Sequence, residues 1–196
     1  LPLQHLIVAP LTLSDTLWTS GLAGSLVSAA CFVGVSLFLY GIALRWTGYR
    51  TAGWLAFLCF ALNPRLIYLF STPMTEPLML LCASGLVFYL IRWSQTSEWS
   101  DLALACLMTF AGTLTRYEGW SIAAAAVPVV FVIARQERVK ATILFLAAAC
   151  AGPMLWMIYN MVYFEDPLIF IWGRGSARDY AQEYFFRTGK LFPTAG

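Results

Sequence analysis

Glu76 and the run Arg116-Tyr117-Glu118 carry the side chains of this sequence best suited to work on a charged substrate. Glu76 follows Met74-Thr75 and precedes Pro77 at the head of an uncharged stretch, where the positive end of a helix would stabilise its carboxylate. A carboxylate so placed accepts a proton, binds a metal or orients a sugar hydroxyl, although an ordinary helix start also carries one. Arg116 and Glu118 flank Tyr117 between two apolar stretches, so each charge complements a helix end. A guanidinium there also grips phosphate through paired hydrogen bonds, a fork that lysine lacks. The plainer reading is a dipole-matched turn with interfacial aromatics.

Further candidates lie at the two ends of the chain. His5 is the single histidine, and Arg174 and Arg178 alternate with aromatic residues in the C-terminal tail. Arg116, Tyr117, Arg174, Arg178 and His5 are therefore candidate substrate contacts, with Glu76 and Glu118 as candidate supporting catalytic carboxylates. The bland alternatives are interfacial anchoring for His5 and a tail that rests on lipid headgroups. Gly173-Arg174-Gly175 lacks the spacing and the Lys-Ser/Thr ending of a phosphate-binding loop. The five cysteines occur singly in apolar stretches, without metal-ligand spacing, and read as small core residues. No metal site is expected from these residues.

The elements that must position these groups are membrane helices. Hydrophobic residues make up 60% of the chain and charged ones 11%, against about 25% charged in a soluble domain. The apolar residues form long stretches broken by short polar turns, as lipid-exposed helices require. The pattern predicts an all-α polytopic transmembrane bundle of about six helices, given the roughly 20 residues a span needs. They are placed at 16–44, with Ser14 and Asp15 as capping candidates, from 51 onward, at 75–91, 102–115, 120–134 and 141–164. Asn63-Pro64-Arg65 should break the second, Thr75 should cap the third with Pro77 in its first turn, and Gly152-Pro153 should kink the last. Several of these cores are shorter than a full span and would reach the interfaces through terminal Arg, Trp and Tyr side chains. Residues 1–164 then form the transmembrane domain. Residues 165–196 begin an outer-face segment, with an amphipathic helix expected over 176–186.

Charge sets the orientation. Arg45, Arg50, Arg92, Arg135, Arg138 and Lys140 fall in alternate turns, while the intervening ones hold only Arg65 and Arg116. Positively charged loops stay cytoplasmic, so Glu76, Arg116-Tyr117-Glu118 and the tail share the outer face. A net charge of +2, scattered along the chain, gives no basis for nucleic-acid binding.

Five stretches together resemble the GT-C glycosyltransferases. They are Leu1-Pro2-Leu3, Asn63-Pro64, Met74-Thr75-Glu76-Pro77, Leu114-Thr115-Arg116-Tyr117-Glu118-Gly119 and Asp166-Pro167-Leu168. Within that superfamily the order and spacing are most similar to bacterial enzymes of the protein O-mannosyltransferase and aminoarabinose transferase group. The resemblance implies a multispanning enzyme that moves a sugar from a polyprenyl-phosphate donor to a protein, lipid or glycan acceptor. The reaction would occur at the outer face of a bacterial inner membrane. It names no firm cofactor and leaves a divalent metal open. In such enzymes the principal catalytic carboxylate lies in the first outer loop, which here would precede Leu1. Glu76 and Glu118 are then supporting residues, and 16–44 corresponds to the second helix of the family. Two other readings remain at this point: a polytopic transporter or channel, and a non-catalytic membrane assembly subunit. Transporters usually place ionisable groups near the midplane, whereas these fall at helix ends.

Overall fold

The computed structural model describes residues 1–135 and 137–172, and each regular element among them is a helix. A short α1 (Leu3–Val8) runs through a 3-10 stretch (Ala9–Leu13) to α2 (Asp15–Thr19). The long helix expected from residue 16 begins instead as α3 (Leu22–Thr47). Gly21 separates it from α2 with a φ of 73°, a left-handed conformation in which glycine carries no Cβ penalty. Ser14 precedes α2 without a side-chain capping bond. Gly48 (φ 77°) closes α3, its N–H donating to the Leu44 carbonyl at 2.8 Å.

The proline break appears where the sequence places it. α4 (Arg50–Ala61) and α5 (Pro64–Ser71) meet at a bend of 64°. The Asn63 side chain accepts from Arg65 N–H at 3.0 Å and Leu66 N–H at 3.4 Å, and Pro64 needs no donor in the first turn. α6 (Glu76–Thr96), α7 (Trp99–Thr115) and α8 (Glu118–Ile133) follow, then α9 (Arg138–Phe164), which runs through Pro153.

Small residues set how closely these helices approach. A Cβ on Gly34 would sit 2.5 Å from Leu81 Cδ1, and one on Gly41 2.5 Å from Phe88 Cε2. Both pairs step by seven residues in the same direction, so α3 and α6 run parallel with α6 side chains seated in glycine notches, a packing mode of membrane helices. α7 returns antiparallel to α6, with Gly85 against Met108 and Gly112 against Cys82. Two apolar cores result. One gathers Leu86, Leu90, Leu102, Val130 and Phe145 from α6 to α9; the other gathers Cys31, Val35, Phe70 and Leu78 from α3, α5 and α6. Cys31 and Cys82 are buried as expected of core cysteines, but Cys59 and Cys150 are exposed on apolar helices.

The fold is an all-α membrane bundle. By length and apolar content α3, α6 and α9 can cross a bilayer, and the bent α4–α5 pair makes a fourth if it is one span. The other two of the six expected helices, α7 with 17 residues and α8 with 16, are about 25 Å long, near the short end of what crosses a roughly 30 Å hydrocarbon core. The chain divides into two compact units, Leu1–Pro153 and Met154–Gly196. In the second, Trp156 stacks on Tyr159 with centroids 5.3 Å apart. Asp166 Oδ1 accepts from Leu168 N–H at 2.8 Å before the short α10 (Ile169–Trp172).

Candidate functional site

The α7–α8 connection is tight because two glycines meet in it. A Cβ on Gly119 would lie 2.3 Å from the Gly112 carbonyl oxygen, so the first turn of α8 rests directly on the last turn of α7. Trp120 Nε1–H donates to the Thr113 carbonyl at 2.9 Å, satisfying an acceptor that the end of α7 would leave unpaired. Arg116, extended at φ −149°, ψ 155°, is thereby turned out of α7 toward the start of α6.

There its guanidinium meets three side chains. Nε and Nη2 donate to the two carboxylate oxygens of Glu118 at 3.2 and 2.8 Å, a bidentate fork. Nη1 donates to Glu76 Oε1 at 2.7 Å and to Thr75 Oγ1 at 3.0 Å. Thr75 precedes α6 as expected, but its hydroxyl makes no capping bond and receives Arg116 instead. One arginine thus joins α6 to the α7–α8 turn. The hydrogen bond to Glu118, with the nearby carboxylate charges, raises the Arg116 pKa, and the hydrogen bond from Arg116 holds the Glu118 carboxyl below its ordinary range. The Glu118 side chain is 61% exposed and that of Glu76 40%, so the fork to Glu118 faces the more open side.

A cavity of about 520 Å³ opens beside this cluster, lined by His5, Thr75, Thr115, Arg116, Tyr117, Glu118 and Ser121 together with Leu1. Four residues singled out from sequence, His5, Arg116, Tyr117 and Glu118, share this space, and Glu76 joins them through Arg116. Arg174 and Arg178, with the helix expected over 176–186, lie outside the described residues. His5 comes from a remote part of the sequence. Its neighbour Gln4 is buried and donates from Nε2 to the Met74 carbonyl at 2.7 Å, pinning α1 beside the start of α6.

Sequence reading missed Gln4 and Ser121, polar residues without a motif, and gave Thr115, though part of the Leu114–Gly119 stretch, no role. It also missed Asp101 at the opposite end of α7. Asp101 is fully buried, accepts from Thr96 Oγ1 at 2.8 Å, and has Arg92 Nε 2.9 Å from its Oδ1 at an angle too oblique for a hydrogen bond. Among the described residues no three His, Cys, Asp or Glu side chains gather at metal-binding distance. Between Glu76 and Glu118, the position a bridging cation would take is filled by the guanidinium.

Apolar helices bearing a polar, carboxylate-lined mouth at one end are the frame in which a family match falls, and that match makes the chain a membrane glycosyltransferase of the GT-C type. Residues 12–162 match the model of the dolichyl-phosphate-mannose-protein mannosyltransferase family, and the chain belongs to that family. Comparison with curated proteins and with solved structures gives no match.

Proposed function

We propose that this chain acts in transferring a sugar from a polyprenyl-phosphate-linked donor to a protein, lipid or glycan acceptor, at the non-cytoplasmic face of a bacterial inner membrane. The observation that carries the reading is Arg116 held between Glu76 and Glu118 beside a polar cavity. The departing group in such a transfer is a phosphate, whose developing charge an arginine stabilises. The acceptor hydroxyl must lose a proton, for which a carboxylate is the natural base.

The pairing suggests an order of events. Glu118 occupies the Nε/Nη2 edge of Arg116, the geometry that a phosphate would also take. An arriving donor phosphate displaces the more exposed Glu118, while Glu76 and Thr75 keep hold of Nη1 and so preserve the arginine's aim. The freed Glu118 carboxylate and the Glu76 carboxylate then support the reaction as positioning or proton-accepting groups. Tyr117 and His5 supply contacts to the sugar or acceptor from the cavity wall.

Transfer is measured with the complete protein in liposomes, using radiolabelled polyprenyl-phosphate sugars and a crude acceptor extract. Wild-type transfer that falls about 100- to 1,000-fold in Arg116→Ala, with membrane insertion intact, supports the reading. If a broad donor panel yields no transfer but labelled solute crosses the liposome membrane, the chain is a transporter.

A further inference from the structure

Thr75 and Glu76 aim Arg116 only as well as they are themselves held, and the loop that leads to them has no regular structure of its own. Residues 72–75 join α5 to α6, and Thr75 makes no side-chain bond to the helix it precedes. Pro73 offers no N–H and keeps Thr72 extended, at φ −104°, ψ 152°. Within the loop, Met74 N–H donates to the Thr72 carbonyl at 2.8 Å and closes a three-residue turn.

Two buried side chains from other elements take hold of the carbonyls on either side of Pro73. Ser28 of α3 donates from Oγ to the Thr72 carbonyl at 2.7 Å. Gln4 of α1 donates from Nε2 to the Met74 carbonyl, in the peptide unit that leads directly into Thr75, also at 2.7 Å. Between these bonds Pro73 rests on Gly24, one turn before Ser28 on the same face of α3. A Cβ on Gly24 would overlap the proline ring and stand 3.1 Å from its Cα. The Gln4 side-chain oxygen is buried without a hydrogen-bond partner among the described residues, so what this amide gains is the single bond to Met74. Ser28 differs in the same way from Ser36, about two turns further along α3, which is equally buried but donates only to Phe32 of its own helix.

We infer that Gln4 and Ser28 are positioning residues for Arg116: from α1 and α3 they fix the loop before α6, so that Thr75 and Glu76 present their oxygens to the guanidinium in one place. With the backbone behind Glu76 tied to two further elements, Glu76 keeps the arginine's aim while the more exposed Glu118 gives way. Their effect on turnover rests on the transfer reaction proposed above; their effect on Arg116 itself does not.

The complete protein is prepared in nanodiscs as Gln4→Met, which keeps the length and loses the donor, as Ser28→Ala, and as Ser36→Ala for a buried-serine control. Transfer kinetics are measured for each, alone and combined with Glu76→Gln. Gln4→Met and Ser28→Ala should each lower kcat about tenfold with the donor KM within about twofold of wild type, because a small misplacement of the arginine acts on the transition state. Added to Glu76→Gln, either should lower kcat by less than about a further twofold, since all three loosen the same contact. Ser36→Ala should match wild type. The Arg116 Nε–H signal is observed with isotope-labelled arginine and assigned by its absence from Arg116→Lys. It should move or broaden in Gln4→Met and Ser28→Ala as it does in Glu76→Gln, and stay in place in Ser36→Ala. Should Ser28→Ala fail to insert, Gln4→Met carries both measurements. An unmoved Arg116 signal in folded Gln4→Met overturns the inference whether or not the protein transfers sugar. So do wild-type kcat in both variants of a protein that transfers, and losses that multiply in full with that of Glu76→Gln. If wild type transfers nothing yet the signal moves, the placement of Arg116 by Gln4 and Ser28 stands and the transfer reading fails.

Discussion

Four of the five guanidinium hydrogens of Arg116 are committed, two to Glu118, one to Glu76 and one to Thr75. The two carboxylates are not equivalent. Glu76 is met at one oxygen from the α6 side, whereas Glu118 is met at both and is the more exposed. Glu118→Gln should therefore lower the donor KM, because the amide competes less for the fork, while Glu76→Gln should loosen the arginine and lower kcat. A fall in kcat with KM unchanged in Glu118→Gln would instead make that carboxylate a base. Since Arg116 depresses the Glu118 pKa, their pair stabilises the fold above the ordinary carboxylate range and loses that contribution as pH falls through the depressed pKa. Exposure limits the stability at stake to about 0–1 kcal/mol, so thermal unfolding near neutral pH should be flat with respect to this pair. Glu76, Arg116 and Glu118 were legible in the sequence because charge is conspicuous among apolar residues. Their mutual pairing was not, since Glu76 and Arg116 lie forty residues apart and no local pattern encodes that contact.

Element boundaries were legible where backbone chemistry is local. Asn63-Pro64 breaks its helix and caps the next, so Asn63→Ala should cost about 1 kcal/mol in denaturant unfolding, with α5 the first element to lose hydrogen-exchange protection. The break at Gly21 was less visible: hydrophobicity continues on both sides of it, and only the left-handed backbone shows that the helix has ended. Span number is less legible than helix number, because hydropathy reports burial in lipid or protein without distinguishing a 16-residue helix from a full crossing. In the α7–α8 connection the glycine is needed for space. Gly119→Ala places a methyl carbon against the Gly112 carbonyl and should destabilise by about 1–3 kcal/mol. Because Arg116 sits between these two glycines, the same change should lower transfer activity in protein that still inserts. Activity equal to wild type would show that the turn can shift without moving the arginine.

Across the bundle, α6 and α7 are tied at both ends by ion pairs of different character. At one end Arg116 holds two partly exposed carboxylates; at the other, Arg92 faces a fully buried Asp101. Asp101→Asn leaves Arg92 without its counter-charge and should lower stability by about 1–3 kcal/mol while the donor KM is unchanged. The positive-inside count further predicts opposite sides for these ends: a cysteine placed at Ser97 should resist an impermeant thiol reagent in intact cells, and one at Tyr117 should react. The Arg116 cluster, one cation between two anions, carries a net negative charge at neutral pH, so the unoccupied mouth does not attract dissolved phosphate. A phosphate carried on a membrane-held chain is different. Confinement beside the mouth raises its effective concentration until it outcompetes a tethered carboxylate that a free anion cannot dislodge. The fork between Arg116 and Glu118 thus acts as a filter on delivery: inorganic phosphate should inhibit the wild-type enzyme weakly, and Glu118→Gln should make it sensitive.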